Sequence, residues 1–184
     1  MKRIIAILLC LLMIFTLAAC RKDDKKGELE VDIEYYAKLG TMPDMKYSLG
    51  DGVEKTEEAL SQSNADGDHG ESIYSSYEVG DKTVMSDGNI CCCYETENED
   101  KGITHIAIYG GAFGFEQGTV STQIRDTLAA AGYEAKEKEA EKSDLFFIPG
   151  AAGLTVLKYE FKENTVMFVF QDHALSAGVV FVNQ

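Results

Sequence analysis

The sequence predicts an α+β protein in which a helix followed by antiparallel strands occurs twice. Three observations predict it. Two amphipathic segments each carry a glycine ten residues before a leucine, Gly50 to Leu60 and Gly118 to Leu128. Each is followed by runs rich in β-branched and aromatic residues. Short polar turns, Lys162-Glu163-Asn164 and His173-Ala174, join the last of these runs as hairpins.

Taken in order, the first helix opens at Asp51, with Glu54 three residues on as in a capping box and Val53 and Leu60 one heptad apart. Strands are predicted at Ser72 to Val79, Asn89 to Glu95 and Ile103 to Tyr109, with one strand of this unit missing. Gly110 to Gly118 links the units, Phe113 and Phe115 packing at the helix entrance. The second helix places Val120, Ile124, Leu128 and Ala131 on one face and stops at Gly132, a residue suited to a left-handed cap. Leu154 to Phe161, Thr165 to Asp172 and Leu175 to Val182 follow as strands. Gly88 to Glu95 aligns with Gly153 to Glu160 at an offset of 65 residues, which equates Cys91, Cys92 and Cys93 with Val156, Leu157 and Lys158. The expected divisions are residues 1–19, 20–39, 40–111 and 112–184: a signal peptide, a lipidated N-terminus with its tether, and two α+β repeats.

Lys2 and Arg3 precede an apolar run from Ile4 to Ala19, 16 residues long, and RKDDKK follows from Arg21. A membrane-spanning helix needs about 20 apolar residues, so the layout is that of a signal peptide. Leu17-Ala18-Ala19-Cys20 resembles the lipobox of bacterial lipoproteins. That resemblance implies cleavage before Cys20, acylation of its thiol and an extracytoplasmic chain anchored to the cell membrane by lipid, each buried CH2 contributing about 0.8 kcal/mol. The alternative is an uncleaved apolar anchor with an incidental cysteine. Loss of Lys2 and Arg3 makes the formal charge of −14 two units more negative, and such a surface repels phosphate backbones, so no nucleic-acid partner is expected. Arg21, Lys22, Lys25 and Lys26 lie where they reach anionic headgroups or serve as a solvated tether.

The repeated helix and sheet behind a lipoprotein leader, with its closing YEF and FVFQD strands, resembles the β-lactamase-inhibitor-protein-like and SmpA/OmlA-like envelope proteins. LGTMPDMKYSLG and GITHIAIYGGAFGFEQGTVST are similar to stretches of lipoproteins of Gram-positive bacteria. The resemblance covers residues 40–184 and implies a protein-binding sheet face or an envelope-assembly role, with no catalytic residues to carry over.

NICCCYE, residues 89–95, sets three thiols in a row. Strand alternation puts Cys92 on one side and Cys91 with Cys93 on the other. Pairing Cys93 with His105 also brings Ile90, Cys92 and Tyr94 opposite Ile108, Ile106 and Thr104, an apolar face that fixes the register by burial. Cys91, Cys93 and His105 then share a face, a soft-metal candidate without an evident fourth ligand. Against it, no CxxC spacing occurs, and free cysteine usually behaves as a small buried hydrophobe. Cys91 and Cys93 are two residues apart in a strand, about 6.6 Å, with parallel side chains that do not bridge. Unpaired thiols in an exported chain point to an oxygen-poor habitat.

Asn64 to Glu71 alternates oxygen ligands, but counting from Asn64 the EF-hand positions for glycine and glutamate hold His69 and Ser75, so a polar loop is expected. The glycines from Gly110 to Gly118 match neither phosphate-loop pattern. No GxSxG occurs, and His69, His105 and His173 have no evident serine and acid companions. No catalytic residue, metal or cofactor is therefore expected. Tyr74, Tyr77, Tyr94, Tyr109 and Tyr159 fall on strands, as core or as a contact surface. The expected function is a lipid-anchored, non-catalytic module that holds a protein or cell-envelope component on its exposed sheet face. The alternatives are a thiol or soft-metal protein built on Cys91, Cys93 and His105, and a small-ligand carrier.

Overall fold

The computed structural model describes residues 31–63, 74–141, 145–148, 150 and 153–183. Among them are three α-helices: α1 (Ile33–Leu39), α2 (Val53–Ser63) and α3 (Ser121–Ala130). The strands are β1 (Ser75–Val79), β2 (Lys82–Ser86), β3 (Ile90–Glu95), β4 (His105–Tyr109), β5 (Lys136–Glu139), β6 (Thr155–Glu160), β7 (Asn164–Gln171) and β8 (Ala174–Val182). All pair antiparallel in one sheet of order β1-β2-β3-β4-β8-β7-β6-β5. The fold is thus α+β, with two four-stranded meanders meeting where β4 runs against β8. No helix among the described residues is long and apolar enough to cross a membrane.

Several elements differ from expectation for identifiable reasons. Ile33–Leu39, inside the stretch expected to be tether, is helical: Asp32 caps it by accepting from the Tyr35 N–H at 3.1 Å, Ile33 and Ala37 are buried, and Gly40 closes it with φ 67°. Asp51 accepts from the Ser48 N–H at 2.9 Å, and α2 begins two residues later. Val120 lies outside α3, 47% exposed and bridged to Ala174, while Ile124, Leu128 and Ala131 form the buried face as expected. The hairpin turn before β8 is Asp172-His173, both at positive φ, rather than His173-Ala174. Strands β2 and β5 were not expected. Lys82–Ser86 follows β1 after only Gly80 and Asp81 and reads as its continuation, and the KEKE of β5 is an exposed edge with no hydrophobic signal.

The sheet is apolar on both faces. On one side α1, α2 and α3 cover Met85, Cys92, Ile106, Leu157, Phe168 and Val180. Phe113 and Phe115 pack edge-on against Phe168, each 5.7 Å between ring centroids. On the other side Val84, Cys91, Cys93, Ala107, Met167 and Val179 pack with Leu145 and Phe147 from the β5–β6 connection. The sheet face expected to be open is therefore covered at its centre by the chain itself. Burying a side chain such as Phe147 stabilises by about 2 kcal/mol, which makes this connection part of the core.

Candidate functional site

Strand pairing sets Cys93 opposite His105, Cys92 opposite Ile106 and Cys91 opposite Ala107, the register that burial of one face requires. Cys91, Cys93 and His105 accordingly share the face that Leu145 to Ile148 covers. The Cys91 thiol donates toward the Ser86 hydroxyl at 3.3 Å and the Tyr109 hydroxyl at 3.6 Å. Burial pushes the Cys92 and Cys93 thiols up, with the neighbouring Cys91 adding to the effect. The thiolate is the reactive form, so these cysteines are held inert.

His105 sits in a box of rings. Phe181 stacks on it at 5.5 Å, and Phe146 and Phe147 meet it edge-on at 5.3 Å and 5.6 Å. Its Nδ1 lies 2.9 Å from the Thr104 hydroxyl. Burial, with Lys82 contributing, lowers its pKa from 6.5 to about 4, so the ring is neutral at pH 7. Among the described residues no group of three or more His, Cys, Asp or Glu side chains is placed to hold a metal ion. The structure thus brings the three expected residues to one face but packs them as core. The covering segment, Leu145-Phe146-Phe147-Ile148, was missed. Its signal was four apolar residues between acidic and glycine-containing flanks.

An opening lies beside this cluster, at the end of the seam between the halves. It is a cleft of about 550 Å³, walled by the C-terminal end of α1 (Lys38, Leu39), the Leu49-Gly50 turn, Ile103 to His105, and the adjoining ends of β7 and β8. Three lysines line it, Lys38, Lys82 and Lys101, against Glu95 and Glu163. Glu95 accepts from Lys101 Nζ at 2.7 Å and Asn98 Nδ2 at 3.1 Å, and the Lys101 bond holds its carboxyl below the usual range. Lys82 Nζ stands 5.8 Å from the Phe146 ring centroid. Two amide side chains fix one wall: buried Asn164 donates through Nδ2 to the Ala37 carbonyl at 2.7 Å, and exposed Asn183 accepts at Oδ1 from Thr165 Oγ1 at 2.5 Å. Leu39 and Val182 form an exposed apolar rim. Gly102, at φ 68°, passes so close to the Asp51 carbonyl that a Cβ would lie 2.5 Å from it. That approach holds the Leu49-Gly50 wall against the start of β4.

Tyr94 and Tyr159 are buried and Tyr109 half-buried, while Tyr77 is exposed on β1. Cys20, the expected acylation site, and Asn64 to Glu71 lie outside the described residues. Comparison with known proteins found no family model, no curated protein and no solved structure that matches the chain.

Proposed function

We propose that the chain is a membrane-anchored extracytoplasmic lipoprotein, acylated at Cys20, whose body is a non-catalytic binding module for a protein or cell-envelope component. The seam cleft carries the binding half of this reading. Its volume lies in the range of ligand sites, and it combines an apolar rim with converging polar groups. The lipobox-like LAAC carries the other half. We also read the body as a tandem repeat of the β-lactamase-inhibitor-protein-like kind. In support, α2 and α3 each precede a four-stranded meander, and the strand order runs inward from both edges to the β4–β8 seam. By that order the counterpart of β3 is β7, not β6, so the 65-residue equivalence of Cys91–Cys93 with Val156–Lys158 joins strands of unlike position.

Thiols packed within the core give no support to thiol chemistry. The cleft volume favours one second reading, a small-ligand carrier. Both are tested by replacing Leu39, on the rim, with a photoreactive phenylalanine in the full chain in its own envelope. A discrete adduct, absent from the same substitution at Val120 and weakened by Lys38→Glu, is expected. Equal labelling at both positions, or robust turnover across a hydrolase substrate panel, would overturn the proposal. A protein adduct and a small-molecule adduct separate the two readings.

A further inference from the structure

The sheet ends in two edge strands, β1 and β5. Unpaired backbone groups along an edge are a template for another strand, and the two edges are built differently. In β5, the chain bonds inward at Ala140, whose N–H donates to the Leu154 carbonyl at 2.7 Å and whose carbonyl accepts from Gly153 at 3.0 Å. Alternation then turns the backbone groups of Glu137 and Glu139 outward. Antiparallel pairing of a strand with its own copy sets outward-bonding residues opposite one another. Wherever two KEKE stretches overlap, Glu therefore meets Glu and Lys meets Lys, which destabilises the pair. Glu137 is further tied to Arg125 at 3.3 Å. This edge is closed to its own copy.

Strand β1 carries no such block. The two-residue turn Gly80-Asp81 makes Val79 and Lys82 a hydrogen-bonded pair. The next strand agrees, since Thr96 N–H donates to the Asp81 carbonyl at 3.0 Å and Asp87 N–H to the Ile90 carbonyl at 3.2 Å, which leaves Lys82, Val84 and Ser86 to bond β1. Ser75, Tyr77 and Val79 thus bond inward, and the N–H and C=O groups of Ser76 and Glu78 point outward. Among the described residues nothing pairs with that side. Tyr77, 40% exposed, stands at the middle of the strand. From this contrast we infer that β1 pairs antiparallel with β1 of a second copy of this chain, the two-fold axis passing at Tyr77. That register overlaps all five residues of the strand. It bonds Ser76 reciprocally to Glu78 of the other copy and brings the two Tyr77 rings together as a cross-strand aromatic pair. No charge meets its like, because Glu78 faces serine. So short a contact falls below the roughly 800 Å² per partner of a stable complex, so the dimer is weak. The formal charge of −14 on each chain opposes it at low salt. This interface rests on neither the lipid anchor nor the seam cleft.

The test is sedimentation equilibrium of the full chain in density-matched mild detergent, micelles in excess, from about 1 to 500 μM. A reversible monomer–dimer equilibrium that tightens as salt rises is expected. Ser76→Lys, which sets an ammonium opposite Glu78, should tighten it about two- to tenfold, and Ser76→Glu should loosen it by a similar factor. Glu78→Pro removes an outward N–H and no bond to β2, so it should abolish the dimer while the thermal midpoint of the monomer holds. Tyr77→Cys should form an interchain disulfide under mild oxidation, whereas Lys138→Cys on β5 should not. A chain that stays monomeric across this range, a dimer indifferent to both Ser76→Glu and Glu78→Pro, or equal disulfide formation at the two edges would overturn the proposal.

Discussion

His105 and the cysteines beside it make the sharpest residue-scale predictions. The folded pKa of His105 is depressed from 6.5 to about 4, so protonation favours the unfolded chain. Stability from this group is complete above about pH 6.5 and is lost as pH falls toward 4, by at most about 3 kcal/mol at 1.36 kcal/mol per unit. Glu95 and Glu160 are also shifted down, from 4.5, so their contributions are present above that value and lost only at lower pH. His105→Phe, measured by urea unfolding at a series of pH values, should flatten the profile between pH 6.5 and 4.5. Cys92→Ser should cost about 2 kcal/mol by burying a hydroxyl among Met85, Ile106 and their neighbours. Cys91→Ser should be nearly neutral, because the Ser86 and Tyr109 hydroxyls stand ready as partners. Much of this cluster was legible in the sequence, since alternation and a single buried face fix the register of Cys93 against His105. What covers it was not, because Phe146 and Phe147 reach His105 from some 40 residues away along the chain.

At the scale of elements, α1 and β8 test why the layers fit. Asp32→Ala removes the cap of α1 and should lower stability by about 1 kcal/mol, read as a shift in the thermal midpoint. Gly178 in β8 is required by close approach, for a Cβ there would fall 2.2 Å from the Ala112 Cβ. Gly178→Ala should therefore destabilise, and Ala112→Gly should recover part of the loss in a double-mutant cycle. Strands with β-branched and aromatic residues, β6 to β8, were readable from sequence. The short β2 and the charged edge β5 were not, since pairing rather than composition makes them strands. The helical faces were readable from spacing, but α1 was hidden: seven residues long and next to an expected tether, it gains its stability from burial of Ile33 and Ala37 rather than from propensity.

Across the whole molecule, β4 and β8 join both halves into one sheet, and hydrophobic layers run continuously over the seam on each side. The body should unfold in a single transition, with far-ultraviolet circular dichroism and tyrosine emission giving coincident curves. Two separate transitions would mean that the seam does not couple the halves. Because the chain covers the centre of both sheet faces, the proposed function puts binding at the end of the seam instead of on the open face expected from sequence. The proposal rests equally on anchorage at Cys20, which would set where such a cleft meets a partner. The mass of the N-terminal peptide of protein recovered from membranes tests it most directly. The predicted result is a peptide that begins at Cys20 and carries fatty acyl chains. A peptide that begins at Met1, with Cys20 unmodified, would contradict it.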